Sequence, residues 1–186
     1  RIDDNFDPQM GFVRRKGVIK QRAEIRWRPR PESIDAIRQF WISPEVETYT
    51  RQEGFLESRE QGVGLVSVWK TGDFIGMQPE RKYEFLEEPF EITPDVTIPK
   101  GGYHFDSVRT FIQPYSGRRI SGTFRTVWGE FFDGRIIGAT LAPIIKVNPN
   151  LSLELGYSIN NVSLSTGNFS ARVVNAQINY NFNTKL

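Results

Sequence analysis

The sequence predicts an all-β chain, an antiparallel up-and-down meander of about eight strands. Three observations carry that prediction. Apolar and polar residues alternate with period two along most of the chain. The alternating runs are long, ~11 to 14 residues in the second half. They are separated by turn-forming residues, Asp133-Gly134 and Asn148-Pro149-Asn150 among them.

The elements follow in order. Near residues 17–28, Ile19, Ala23, Ile25 and Trp27 share one parity, with Gln21 as the exception. Lys20, Arg22, Glu24, Arg26 and Arg28 take the other, so this strand has one apolar and one charged face. The one helical signal is Pro31 to Trp41, where Ser33 is placed to cap a short turn carrying Ile34, Ile37 and Trp41. Strands are expected near 34–50, 55–70 and 102–113.

Residues 71–101 read as a long connection, punctuated by Gly72, Gly76, Pro79, Pro89, Pro94 and Pro99. Its acidic cluster (Glu84, Glu87, Glu88, Glu91, Asp95) is interleaved with Phe85, Phe90 and Ile92. A connection of ~30 residues is usually functional or disordered. The apolar residues favour an ordered plug, lid or rim element.

From Arg118 onward four strands are expected. Ile120, Phe124, Trp128 and Phe132 lie on one parity, opposite Ser121, Thr123 and Arg125. Asp133-Gly134 suits a type I′ hairpin, because both positions accept positive φ. After the return through Ile136 to Val147, Leu151, Leu153, Leu155, Tyr157 and Ile159 alternate with Ser152, Glu154, Gly156, Ser158 and Asn160. Val174, Ala176, Ile178, Tyr180 and Phe182 then alternate with Asn175, Gln177, Asn179 and Asn181.

Strand length separates two architectures. Strands of soluble proteins run ~5–6 residues, whereas a tilted membrane-crossing strand needs ~9–11. Short turns on one side, looser loops on the other and aromatics near strand ends form the pattern of a transmembrane barrel. On that reading Leu151, Leu153, Leu155, Val174 and Ile178 face lipid. Trp27, Trp128, Phe132, Tyr157, Tyr180 and Phe182 form an interfacial girdle, and Lys20, Arg22, Arg26 and Arg28 are basic residues of the lumen. The alternative is a soluble antiparallel sandwich or lipocalin-like barrel, a binding module for glycan or protein through exposed aromatics.

Composition excludes several chemistries. The 186 residues carry 24 Lys+Arg against 22 Asp+Glu, so the near-balanced charge is weak support for a nucleic-acid partner. Aromatics at 13% are too many for a disordered chain. Zero cysteines remove disulfides, thiolate metal sites and cysteine nucleophiles, and one histidine, His104, leaves no multi-histidine relay. His104 and Asp106 share a strand face, but a metal would need a further ligand. The acidic cluster lacks the spacing of a calcium loop. Glu87 and Glu88, adjacent in a strand, would face opposite ways, which does not suit a glycosidase pair. No catalytic residue, metal or cofactor is expected, and no enzyme. No run of ~18 apolar residues forms a membrane helix. Residue 1 is Arg, so either a signal was removed or the chain is an internal piece.

Several strings, in order, carry a resemblance. They are Asn5-Phe6-Asp7-Pro8-Gln9-Met10-Gly11-Phe12-Val13-Arg14-Arg15, Trp27-Arg28-Pro29-Arg30-Pro31, Thr71-Gly72-Asp73-Phe74, Glu88-Pro89-Phe90-Glu91-Ile92, Val96-Thr97-Ile98-Pro99-Lys100-Gly101-Gly102-Tyr103, Gly129-Glu130-Phe131-Phe132-Asp133-Gly134 and Leu151-Ser152-Leu153. Together they resemble the C-terminal outer-membrane β-barrel region, of unknown function, of large envelope proteins from Bacteroidota-type bacteria. In that family a domain similar to a family-9 carbohydrate-binding module precedes the barrel. The resemblance implies a bacterial outer-membrane location and a segment of a larger barrel, serving as anchor and candidate polar conduit. It implies contact with outer-membrane lipid and lipopolysaccharide, with the upstream carbohydrate-binding-like domain, and with a larger envelope complex. No site of the carbohydrate module maps onto these residues.

Overall fold

The computed structural model describes residues 17–182. The first stretch of the resemblance, Asn5 to Arg15, lies outside the described residues. Eleven strands form one antiparallel up-and-down meander and a small side hairpin. In chain order they are β1 (Val18–Glu24), β2 (Ile37–Arg51), β3 (Leu56–Trp69), β4 (Phe74–Leu86), β5 (Phe90–Thr93), β6 (Val96–Ile98), β7 (Gly101–Gln113), β8 (Ile120–Phe131), β9 (Gly134–Asn148), β10 (Leu151–Leu164) and β11 (Gly167–Tyr180). Nine make one sheet in the order β1-β2-β3-β4-β7-β8-β9-β10-β11, and β5-β6 pair only with each other.

Among the described residues the sheet is not closed: β1 and β11 are its edges. Nine alternating strands leave those two edges running in the same direction. Joining them directly would make the sole parallel ladder in an antiparallel sheet, and would set a 7-residue strand against a 14-residue one.

Three expectations need correction. The 71–101 connection is not one loop, because Phe74–Leu86 is a full strand between β3 and β7. Pro79 and Gly76 disguised it. Proline lacks an N–H, and pairing between β3 and β4 is interrupted between Gly62↔Glu80 and Leu65↔Met77, where Pro79 lies. Gly76 leaves the space that the Phe111 ring fills, and a Cβ atom there would strike that ring. No helix forms at Pro31–Trp41: residues 37–41 already belong to β2, where ladder bonds outweigh a weak helical period. The β8–β9 turn is Phe132-Asp133, with Phe132 at φ 51°, rather than Asp133-Gly134. Gly134 is instead the first residue of β9, where a Cβ would strike the Ser163 carbonyl.

The tightly buried core is small and lies at one end of the sheet. The β5-β6 hairpin folds over it, packing Val96 and Ile98 (0% exposed) against Val162 and Leu164. Leu86, Ile92, Phe131, Ile136 and Phe169 surround this cluster. Tyr103, Phe105, Phe131 and Phe132 join it through ring contacts of 4.9–6.1 Å.

Ile98→Ala should therefore cost about 2–4 kcal/mol of unfolding free energy. The exposed Glu91→Ala should stay within about 0.5 kcal/mol. Denaturant titration of the folded protein reads both, and equal costs would contradict the hairpin's placement.

Candidate functional site: two opposed faces

Antiparallel partners point the same way, so the register fixes which residues share a face. One face collects Ile42 of β2, Leu65 of β3, Met77 of β4 and Ile112 of β7. On the same face follow Phe124 and Trp128 of β8, Ile137 and Leu141 of β9, and Leu151, Leu153, Leu155 and Tyr157 of β10. Val174, Ile178 and Tyr180 of β11 complete it. Among the described residues nothing covers this face. Ile137 is 67% exposed and Leu155 46%, far beyond the scattered apolar residues of an ordinary surface.

The apolar band has a sharp upper edge. Moving two residues along the same face, Val63 gives way to Gln61, Pro79 to Arg81 and Val108 to Asp106. Trp128 likewise gives way to Glu130, Ile137 to Arg135 and Val174 to Arg172. Along β10 the band runs from Leu151 to Ile159 before Asn161. That is about nine residues, or ~30 Å of strand at ~3.4 Å per residue.

The opposite face holds an ion-pair and hydrogen-bond network centred on Glu80, whose side chain is only 2% exposed. Glu80 accepts from Ser107 Oγ at 2.9 Å and from Arg109 Nη2, with Lys82 Nζ at 3.2 Å. Glu60 lies 3.3 Å from Arg109 and 3.5 Å from Lys82. Toward β1 the network continues: Glu45 takes Arg22 at 2.9 Å and Gln78 at 2.8 Å, and Glu47 takes Lys20 at 2.9 Å. Toward β11 ion pairs give way to hydrogen bonds, with Thr140–Ser158 at 3.0 Å and Asn179 donating to Glu154 at 2.8 Å. Alternation produces this layer, because polar side chains of this parity meet those of the neighbouring strands on the same side.

The basic residues expected of a lumen lie on this polar parity. Lys20, Arg22 and Arg26 pair with Glu47, Glu45 and Glu24, and Arg28 sits over the Trp41 ring at 5.2 Å. Arg14, Arg15 and Lys16 lie outside the described residues. Of the expected girdle, Tyr180 and Phe182 stand at one end of the sheet, Trp27 lies opposite Ile42 of β2, and Trp128 stands at the upper edge of the band. Tyr157 lies between Leu155 and Ile159 within it. Phe132 is displaced: its turn directs it into the ring cluster with Phe105 and Tyr103, 5.2 and 5.3 Å away. His104 and Asp106 do share a face, but His104 rests against Tyr83 at 4.6 Å and Asp106 grips Arg81 through two bonds of 2.8 and 2.6 Å. Among the described residues no three His, Asp or Glu side chains gather to hold a metal. The Glu80 centre escaped the sequence reading because it sits on the strand taken for a loop. Its signal was present in the parity of Gln78, Glu80, Lys82 and Glu84.

Outside the strands, Asp73 ties two turns together. It accepts from Arg118 Nη2 at 2.7 Å, Thr71 Oγ1 at 2.6 Å and the Tyr115 backbone N–H at 2.8 Å. These donors, Arg118 foremost, hold its pKa down to about 2.

Comparisons with protein-family models, curated proteins and solved structures find no match to this chain.

Two predictions follow from these contacts. The folded pKa of Asp73 lies below its ordinary 3.8, so the clamp stabilises fully above that value and is lost as pH falls toward about 2. Asp73→Asn should flatten that part of the acid-stability curve, which thermal melts from pH 5 downward would read. Glu80→Ala should cost about 2 kcal/mol, because it leaves the buried Ser107 without its partner and Arg109 and Lys82 with Glu60 alone. Glu80→Met with Arg109→Met should cost less than Glu80→Ala alone, a comparison that a double-mutant cycle makes directly.

Proposed function

We propose that this chain is a segment of a bacterial outer-membrane β-barrel that anchors a cell-envelope protein, with the polar face lining the barrel interior. The observation that carries the reading is the continuous uncovered apolar band with its abrupt polar edge. About 30 Å of strand, tilted by ~40°, stands ~23 Å along the membrane normal, close to the ~25 Å apolar belt of such barrels. A soluble sandwich would bury that face under a second sheet, and the only other sheet among the described residues, β5-β6, lies on the polar side.

The resemblance to the C-terminal barrel of carbohydrate-associated envelope proteins agrees with this reading. So do the two open edges: closing the sheet with antiparallel ladders throughout takes an odd number of further strands. The polar face could serve as a conduit as well as an anchor, with the β5-β6 hairpin narrowing one end. The mechanism of anchoring is partition. Leucine, isoleucine and valine of one parity enter lipid, and backbone polar groups are satisfied by the ladders.

Leu155 sits at mid-band, whereas Glu154 faces the network. Leu155→Arg should cost ~2–4 kcal/mol and block membrane assembly, and Glu154→Arg should be tolerated. Heat-modifiable gel mobility of the full-length protein extracted from bacterial membranes measures both. Equal behaviour of the two variants, or a wild type found in the aqueous fraction without a mobility shift, would overturn the proposal.

A further inference from the structure

The apolar face is not evenly filled. Two adjoining depressions, of about 600 and 570 Å³, run along β3, β4 and β7. Short side chains make them: Ser67 and Thr110 in the lower one, Val63, Pro79 and Val108 in the upper one. The bulkier Phe124, Trp128 and Leu141 project from β8 and β9 beside them. From Ile75 at the foot to Arg81 at the head is ~20 Å of strand at ~3.4 Å per residue. With a ~40° tilt that becomes ~15 Å, somewhat more than half of the ~25 Å apolar belt and so room for the acyl chains of one leaflet.

The head of the groove is polar and charge-balanced. Arg81 and Asp106 form their two-pronged pair there, each about half exposed (60% and 51%). Glu130 accepts the Asp106 backbone N–H at 3.1 Å and pairs in register with Arg135. Trp128, 53% exposed, flanks the boundary. A multiply anionic headgroup would set its charge against both carboxylates, Asp106 and Glu130, which Arg81 and Arg135 already balance. A zwitterion would not: its phosphate suits Arg81 and its ammonium suits Asp106 and Glu130.

We propose that this groove holds one phospholipid with a zwitterionic, amine-bearing headgroup, its acyl chain lying along β4 and its phosphate and amine on Arg81 and Asp106. The inference rests on the reading of the chain as a membrane segment, and it adds a specific lipid site to that reading.

The test is native mass spectrometry of the full-length protein in mild detergent, with phosphatidylethanolamine, phosphatidylglycerol and lipid A offered in turn. Heat-modifiable mobility is recorded on the same samples. Phosphatidylethanolamine should be retained roughly tenfold over the anionic lipids, the worth of about one well-placed polar contact. Thr110→Trp, which fills the groove, should abolish retention, and Val108→Phe should weaken it. Asp106→Asn should reverse the headgroup preference by freeing Arg81 for an anion. Preferential retention of phosphatidylglycerol or lipid A by the wild type would overturn the headgroup assignment. Equal retention by wild type and Thr110→Trp, with mobility unchanged, would overturn the site and leave the membrane reading standing. A protein that needs no detergent would overturn both.

Discussion

The sheet depends on one constraint: parity must agree across every ladder. A side chain's face is fixed by its position in the register, and a slip of one residue would exchange the apolar band for the charged network. All eight ladders of the large sheet keep that agreement. Where the spacing drifts, a bulge restores it, as between Ile37 and Gln39 or between Leu151 and Ser152. Gly122 and Gly129, at φ 122° and 144°, mark further irregular points within β8. At Gly129 a Cβ would come within 2.6 Å of the Ser107 Cα, so the backbone takes a path there that only glycine permits.

The two faces solve opposite problems. On one, Glu45, Glu47, Glu60 and Glu80 meet Lys20, Arg22, Lys82 and Arg109, so charges drawn close together neutralise one another strand by strand. On the other, apolar side chains extend outward with no second layer over them among the described residues. Trp41 marks where the polar face is imperfect. Its ring packs on Phe74 at 5.4 Å and beneath Arg28, yet its indole N–H is buried without a partner, a cost of ~1–3 kcal/mol. The cation over the ring offsets part of it.

The β5-β6 hairpin covers a place where the polar face turns apolar. Val162, Leu164, Phe169 and Ile136 would otherwise expose a greasy patch beyond the charged network, and Ile98 and Val96 seal it. Arg51 reaches Glu87 at 2.7 Å, fastening the start of this segment to the end of β2. The acidic residues that looked like a separate cluster therefore divide. Glu84 belongs to a strand of the main sheet, Glu87 is a tether, and Glu88, Glu91 and Asp95 are solvent-exposed.

Alternation, strand length and turn residues determined the antiparallel meander, the second-half strands nearly to their ends, and the common face of Leu151, Leu153, Leu155, Val174 and Ile178. These are local properties, written in steps of two along the chain. Tertiary structure alone decided that Phe74–Leu86 is a strand, because its proline and glycine break the local pattern while its neighbours supply the missing ladder. It also decided that Phe132 turns inward, since a positive φ at a tight turn reverses the direction that parity would assign. Which glutamate becomes the buried centre was likewise undecidable from the sequence. Glu80 differs from Glu45 or Glu60 not in its own segment, but in having Ser107 set directly opposite it, with Arg109 beside it, by the register of β4 on β7.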